Sequence, residues 1–440
     1  MGYLERLRHL SRPARLYLIH VALLTASLAI FGLFFNLAIL ALHFPLTFLG
    51  LLNTASFAAA AVLSLPMLWL VTRMRLRLAL LLSAALQAVS VLLFVLWPTT
   101  PVLLLGSGLG GAAAVLFQVS APPFMMRHSD AESRDHLFSA NAAINIGLAG
   151  VGSLLAGGLP ALAARLLGVG AEGAVAYRAT FAVAGAGLLL AIVPLLLIQE
   201  QGTGHRGQGD GRRETGDGRP GDGQRTTDNG QRTTRLTFRA LLERVPEPWR
   251  GMVLHPGPLL KLLASPALIS IGAALLIPYL NLFFKQRFAV SDQSLGAIFA
   301  ALGVTTGVAA LAGPLLSARV GKIRAVVMSQ ALSLPFLAAL GLAPLLSVAV
   351  GAALARAALF NMGSPLYDAF AMERTDERAR PAVIGLINGA YSIGYAIAPL
   401  ISTRVQQLYG FGPLFAITIV CYVLAVLAKY WFFVREPRAR

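Results

Sequence analysis

Arg356 stands about ten residues into an apolar run (345 to 370), and Asp368 lies twelve residues further on. A guanidinium among so many apolar side chains needs backbone carbonyls, a water-filled cavity or an anionic ligand. Asp368 is the single one of 19 acids inside such a run, which makes it the candidate for a group that changes protonation; His20 and His43, beside the first run, are the alternatives. Twelve helical residues span about 18 Å, so the two charges do not pair directly. Spacing of three and four puts Asn361, Ser364 and Asp368 on one face, and Arg356, Phe360, Gly363 and Tyr367 on another. One of these faces is expected to line a cavity. Uncharged hydrogen-bonding groups recur elsewhere in apolar runs: Asn36, Gln118, Asn141 and Asn145 in the first half, Asn281, Asn361, Asn388, Tyr391 and Tyr395 in the second. Each either joins helices or faces a cavity. Their recurrence at equivalent places in both halves favours a central interface, and they stand with Arg356 as candidate substrate contacts.

Nothing comparable points to catalysis. There is no HExxH, no glycine-rich phosphate loop after a strand, and no His paired with Ser or Cys in an apolar run. His128 and His136 share a charged loop of solvated character, and the lone Cys421 allows neither an intrachain disulfide nor a thiolate cluster. No enzyme activity, cofactor or metal is expected.

The elements that must carry these residues follow from composition. The chain of 440 residues is 57% hydrophobic and 12% charged, half the charge of an ordinary soluble domain, with a mean hydropathy of +0.71. About 20 apolar residues cross a bilayer, and apolar runs lie near 17 to 42, 46 to 71, 78 to 97, 101 to 126, 137 to 164, 178 to 198, 264 to 284, 293 to 317, 323 to 343, 345 to 370, 382 to 403 and 411 to 434. An all-α polytopic membrane protein with twelve transmembrane helices is predicted. If both termini are cytoplasmic, the inside segments hold thirty Lys and Arg and the outside ones five, leaving Arg356 alone within a span. That asymmetry fixes the orientation and explains the net charge of +17 without nucleic acid. A cell inner (plasma) membrane is the expected location.

Three regions are expected: a six-helix bundle at 1–200, a cytoplasmic linker at 201–263 and a second six-helix bundle at 264–440. Residues 202 to 235 are almost entirely Gly, Arg, Asp, Thr and Gln, a composition that builds no core and predicts disorder. Residues 236 to 245 (LTFRALLERV) read as a short amphipathic helix on the membrane face, and Ser265-Pro266 as the N-cap and first turn of the seventh span.

The halves repeat in parallel. Phe117-Gln-Val-Ser-Ala-Pro122-Pro-Phe124 matches Phe360-Asn-Met-Gly-Ser-Pro365-Leu-Tyr367 in type at each position except the one after the proline, which is free, and Asn141 to Gly147 matches Asn388 to Gly394. Asn36-Leu37 and Leu49-Gly50 answer to Asn281-Leu282 and Leu295-Gly296, at offsets of 243 to 247. A parallel six-span repeat joined by a long linker is the plan of transporters whose halves are related by an axis along the membrane normal. Over essentially its whole length the chain resembles a Major Facilitator Superfamily transporter. That family's motif after the second and eighth spans runs Gly, three residues, Asp, Arg, any, Gly, Arg or Lys. Here the second copy retains Arg319, Gly321 and Lys322, with Pro314 and Ala318 in place of the glycine and the acid, and the first copy retains Arg73, Arg75 and Arg77. The resemblance implies a conformational role for these loops, although Ala318 removes the acid used to latch the outward-facing state. It also implies Asp368 as proton carrier if the protein is proton-coupled.

A secondary transporter working by alternating access is therefore expected, monomeric in the lipid, with a small-molecule substrate and protons or another ion as coupling partner. A cavity poor in charge suits efflux of amphipathic or weakly polar compounds. The alternatives are an organic-anion permease using Arg356 and a transport-inactive sensor or scaffold on the same fold.

Overall fold

In hydrocarbon every backbone N–H and C=O must be satisfied within the chain, so apolar runs of this length become helices. A computed structural model describes residues 10–130, 133–199, 256–375 and 380–435. In the first half α1 spans Arg12–Ala41, α2 Leu46–Arg73, α3 Leu76–Leu96, α4 Thr100–Arg127, α5 Arg134–Leu167 and α6 Ala174–Leu196. The second half holds α7 Pro256–Leu276, a 3-10 turn Ile277–Tyr279, α8 Leu280–Phe288, α9 Asp292–Val320 and α10 Lys322–Leu342. It continues with α11 Leu346–Met362, α12 Ser364–Glu373, α13 Arg380–Tyr409 and α14 Gly412–Lys429, which ends in a π turn, Tyr430–Val434.

Two spans are broken. The seventh is α7 and α8 joined by the 3-10 turn, where Pro278 supplies no N–H. The tenth is α11 and α12, separated at Gly363 just ahead of Pro365. With the halves of each broken span joined, eleven segments among the described residues are long and apolar enough to cross a membrane. The twelfth spanning helix is α13, whose buried Ser402, Thr403 and Gln406 bond to one another or to backbone carbonyls rather than meeting lipid. Among the described residues the seventh span is already helical at Pro256, ahead of the expected 264. Ser265 and Pro266 consequently lie inside α7 and not at its cap. The linker residues 202 to 235 and the amphipathic stretch 236 to 245 lie outside the described residues.

Helix packing repeats from half to half. In the first half α1 packs on α5 and α6, α4 on α2 and α3, and α3 on α6; in the second, α7 packs on α13 and α14, α11 on α9 and α10, and α10 on α14. The halves meet through α5 against α9 and α2 against α13, pairs that the repeat interchanges. Along α5 and α9 the backbones touch through glycine. A Cβ on Gly296 would stand 2.6 Å from the Ser153 carbonyl oxygen, and one on Gly157 3.0 Å from that of Asp292. Beyond Gly307 the helices part, and Leu311 and Leu315 of α9 are 78% and 72% exposed. Between α2 and α13 the Phe57 and Tyr395 rings meet with centres 4.9 Å apart. One hydrophobic core joins Leu33, Phe34 and Leu37 to Tyr279, Phe283 and Leu295 across the halves. At the end that carries the termini, each half keeps a separate core, around Tyr17 and Phe124 and around Tyr367 and Phe370. The molecule is joined at the end remote from its termini and splayed at the other.

The crossing of α2 and α4 is close enough to test. A Cβ on Gly111 would lie 1.9 Å from the Ser56 carbonyl oxygen, whereas one on Gly32 meets nothing within 4 Å. Gly111→Ala is expected to destabilise the protein by about 1–3 kcal/mol, the usual cost of overpacking, while Gly32→Ala leaves the melting temperature unchanged or raised. Equal melting curves for the two variants in detergent would refute the close crossing.

Candidate functional site

Three cavities converge on the broken seventh span. The first, about 410 Å³, lies between the halves and is mainly apolar, with Asn145 on one side and Thr306, Arg356 and Asn361 on the other. A second, about 330 Å³, lies within the second half and carries Arg356, Asp368, Lys429 and four tyrosines. The third, about 300 Å³, lies within the first half. Ile277 lines the first two and Pro278 the third, so the 3-10 turn is their common wall.

Arg356 is 8% exposed. One terminal nitrogen donates to the Tyr422 hydroxyl at 3.0 Å, the guanidinium lies 5.0 Å from the centre of the Phe360 ring and 5.7 Å from that of Tyr422, and its buried Nε has no partner. No carboxylate pairs with it among the described residues. Asp368 opens on the same cavity. Two helix faces were expected to compete for the cavity; both line it, since Arg356 and Phe360 share its wall with Asn361, Ser364 and Asp368. At about 100° per residue these positions fall on one contiguous arc of the tenth span, so both sets reach the same space.

Lys429 was missed. It was placed among the cytoplasmic positive charges, yet it is 1% exposed, donates to Gln330 Oε1 at 2.7 Å and lies 4.7 Å from the centre of the Tyr367 ring. Arg356 is therefore not the single cation within a span. The usable signal was the five apolar residues Tyr430 to Val434 after it, which leave the ammonium no short route to water. Asp368 and Lys429 line the same cavity.

The candidate amides divide. Asn145 accepts from Thr25 at 3.0 Å and donates to the Asn141 carbonyl at 2.9 Å; Asn141 accepts from Tyr17 at 3.2 Å. Both knit α5 to α1, and Asn145 also reaches the central cavity. Asn361 approaches Thr306 at 3.5 Å, and Tyr391 lines the charged cavity while its carbonyl accepts from Ser270 at 2.6 Å. Gln118 lies exposed on α4. Asn388 lies on α13, its side chain outside the described residues. His20 is fully buried with Nδ1 2.7 Å from the Ala191 carbonyl, a contact between helices.

Asn36 and Asn281 meet at the joined end. Asn36 Nδ2 donates to the Pro278 carbonyl at 2.6 Å and to Asn281 Oδ1 at 2.8 Å, and Asn281 Nδ2 returns a bond to the Leu33 carbonyl at 2.8 Å. Beside them Lys285 Nζ bridges Glu172 at 2.6 Å and Asp292 at 2.7 Å, and the Tyr177 hydroxyl donates to Asp292 at 3.2 Å. Glu172 and Tyr177 belong to the first half and the other two to the second, so this network ties the halves. Lys285 is one of the five Lys and Arg counted in the outside segments.

At the opposite end Gly321, with φ +86°, makes the turn from α9 to α10 that a side chain would strain. Lys322 pairs with Glu373, inside the second half, and Arg319 is exposed. In the first copy Arg77 caps α6 through the Leu195 and Leu196 carbonyls at 2.9 and 2.7 Å, Arg73 stacks 4.5 Å over Trp69, and Arg75 is exposed at the turn.

The architecture is two parallel six-helix units around a central cavity, and comparison gives it a family. The model of the Major Facilitator Superfamily matches residues 18–267 and 262–440, so the chain belongs to that superfamily and is a multi-pass membrane protein. No curated protein matches the sequence. Among solved structures, a bacterial homologue of the human lysosomal transporter Spinster, inward-facing and unoccupied, aligns with a TM-score of 0.70 at 16% identity, covering 95% of this chain and 96% of that one. A bacterial homologue of the iron transporter ferroportin, inward-facing, gives 0.69 at 15% identity over 96% and 98%. The nucleoside transporter NupG gives 0.67 at 13% identity over 95% and 100%.

If the Lys285 network holds the joined end shut, Lys285→Ala opens it. With Cys421→Ser and Phe35→Cys, a residue just below the Asn36 contact, labelling by an impermeant thiol reagent from the side away from the termini should accelerate about tenfold, the equivalent of about 1.4 kcal/mol. An unchanged labelling rate would show that the ion pairs do not hold the closed end.

Proposed function

We propose that this protein is a secondary transporter that exports amphipathic organic anions across the cell inner membrane by alternating access, acting as a monomer with both termini in the cytoplasm. The observation that carries the reading is Arg356: a buried cation on two cavities, without a carboxylate partner and with an unpartnered Nε. A buried charge of this kind is stabilised by an anion that fills the remaining donors. The apolar lining of the central cavity suits the body of such a molecule. With thirty of the Lys and Arg on the terminal side, the joined end faces outward and the splayed end inward. Residues 1–200 and 264–440 then rock about the α5–α9 and α2–α13 contacts, with 201–263 as their tether. Asp368, facing the same cavity as Arg356, is the proposed site of coupling to protons. A second reading, export of neutral amphipathic compounds with Arg356 as a structural group, is favoured by its bond to Tyr422 and its two aromatic contacts.

Flux of aryl carboxylates such as 1-naphthoate, and of the neutral 1-naphthamide, into proteoliposomes separates the two. Arg356→Ala should lower carboxylate flux at least tenfold, as expected from losing a charged hydrogen bond worth about 1.5–3 kcal/mol, and leave amide flux within about twofold. Equal loss of both would favour the structural arginine, and no flux above protein-free vesicles for the wild type would favour the transport-inactive scaffold.

Asp368→Asn is expected to abolish accumulation driven by a proton gradient while counterflow exchange of the same compound continues, since exchange requires binding and rocking but no net proton movement. Full accumulation in that variant would place proton carriage elsewhere.

A further inference from the structure

The cavity of the first half differs in chemistry from its counterpart. It lies among α1, α2, α3 and α4 and extends to Pro278. Phe31, Phe35 and Phe94 form an aromatic cluster on its wall, with ring centres 5.4 to 5.5 Å apart. Ser56, Gln87 and Ser107 also line it, and none of the three donates or accepts a side-chain hydrogen bond among the described residues. Asn53 spends its Nδ2 on the Leu49 carbonyl at 3.2 Å and the Tyr279 hydroxyl at 3.4 Å, so its Oδ1 remains available. No charged side chain reaches this space.

Aromatic faces beside unused amide and hydroxyl groups fit a flat ring whose edge bears neutral donors and acceptors. An ionised group would find no counter-charge here and would lose its hydration. The 3-10 turn of the seventh span, which this pocket shares with the cavity of Arg356, places the two at one crossing. We propose that the first-half pocket is a second subsite of the transport cavity and receives the planar, uncharged, hydrogen-bonding end of the transported molecule. The proposal rests on the transport reading above, with Arg356 holding the acidic end.

Gly32 makes the pocket testable without touching its polar groups. It lines the cavity, and a side chain there would project into open space. In a Cys421→Ser background, Ser56→Cys is labelled in the purified full-length protein with a small cationic methanethiosulfonate, in the presence and absence of nicotinamide, a neutral planar ring amide. Nicotinamide should slow labelling at least threefold, cyclohexanol at the same concentration should not, and added Gly32→Leu or Gln87→Leu should abolish the protection. Should Gly32→Leu fold poorly, Gln87→Leu alone carries the comparison. Absence of labelling, absence of protection, equal protection by cyclohexanol, or protection that survives Gln87→Leu would each overturn the proposal. Its failure is separate from that of the anion reading: loss of protection by nicotinamide says nothing against an Arg356-dependent carboxylate flux, and protection can persist in a protein whose flux ignores Arg356.

Discussion

The reciprocal bond between Asn36 and Asn281 is the contact on which the arrangement of the halves turns. The two residues occupy the same place in the repeat, and each reaches across the pseudo-twofold axis to the carbonyl three residues before the other, Asn36 to Pro278 and Asn281 to Leu33. The geometry is self-complementary, so a single asparagine position, duplicated with the repeat, produces both bonds. Each such bond within a membrane contributes only about 0.6 to 2 kcal/mol. A seal of that strength, joined to the Lys285 ion pairs, holds one end shut yet can be broken by binding events of ordinary size. A carrier needs that balance, since a stronger latch would trap one state.

Close helix contacts set where the motion can occur. Gly157, Gly296 and Gly303 let α5 and α9 approach backbone to backbone, and small residues at such contacts allow helices to slide and tilt without unpacking large side chains. Past Gly307 the large residues Leu311 and Leu315 face outward, and no comparable approach continues. The crossing therefore acts near the closed end, and small tilts there become large displacements at the splayed end.

Much of this was legible in the sequence because the membrane makes the rules strict. Apolar length and the repeat were enough to predict twelve helices in two parallel sets, and Arg356 and Asp368 announced themselves as charges where charges are costly. The Asn36 and Asn281 pairing was visible only as an equivalence of position; that the two touch depends on the closed state of one end. Lys429 escaped because it lies near a span end, where a positive charge is ordinary, although the apolar residues 430 to 434 beyond it point to an ammonium that turns back, as it does to Gln330. Asp292 escaped for a similar reason, standing one residue before the expected eighth span although it is 7% exposed. The Ser265-Pro266 signal did not mark the start of the seventh span, because Pro266 is absorbed into a helix that already runs from Pro256.

The repeat also shows how one half became the charged one. The matched segments at the ends of the fourth and tenth spans carry proline at equivalent positions, Pro122 and Pro365, yet α4 runs through its prolines and the tenth span breaks. Two residues before the proline the first half has Ser120, whose hydroxyl bonds the Leu116 carbonyl at 2.7 Å and ties down the turn. The second half has Gly363, which offers no such bond and whose missing side chain leaves room for Ser329 and Val326 of α10, the nearest atoms to a Cβ there at 3.1 and 3.5 Å. α4 lacks the N–H of both Pro122 and Pro123, and the tenth span that of Pro365 alone. Tyr367 and Asp368 of the short α12 line the same cavity as Arg356. At the matching places α4 carries Ala113 and Met125 in place of Arg356 and Asp368, and among the described residues no charged side chain lines the first-half pocket. The chemical asymmetry of the two halves follows from these replacements at repeat-equivalent positions, while the exchange of Ser120 for Gly363 accompanies the difference in helix continuity.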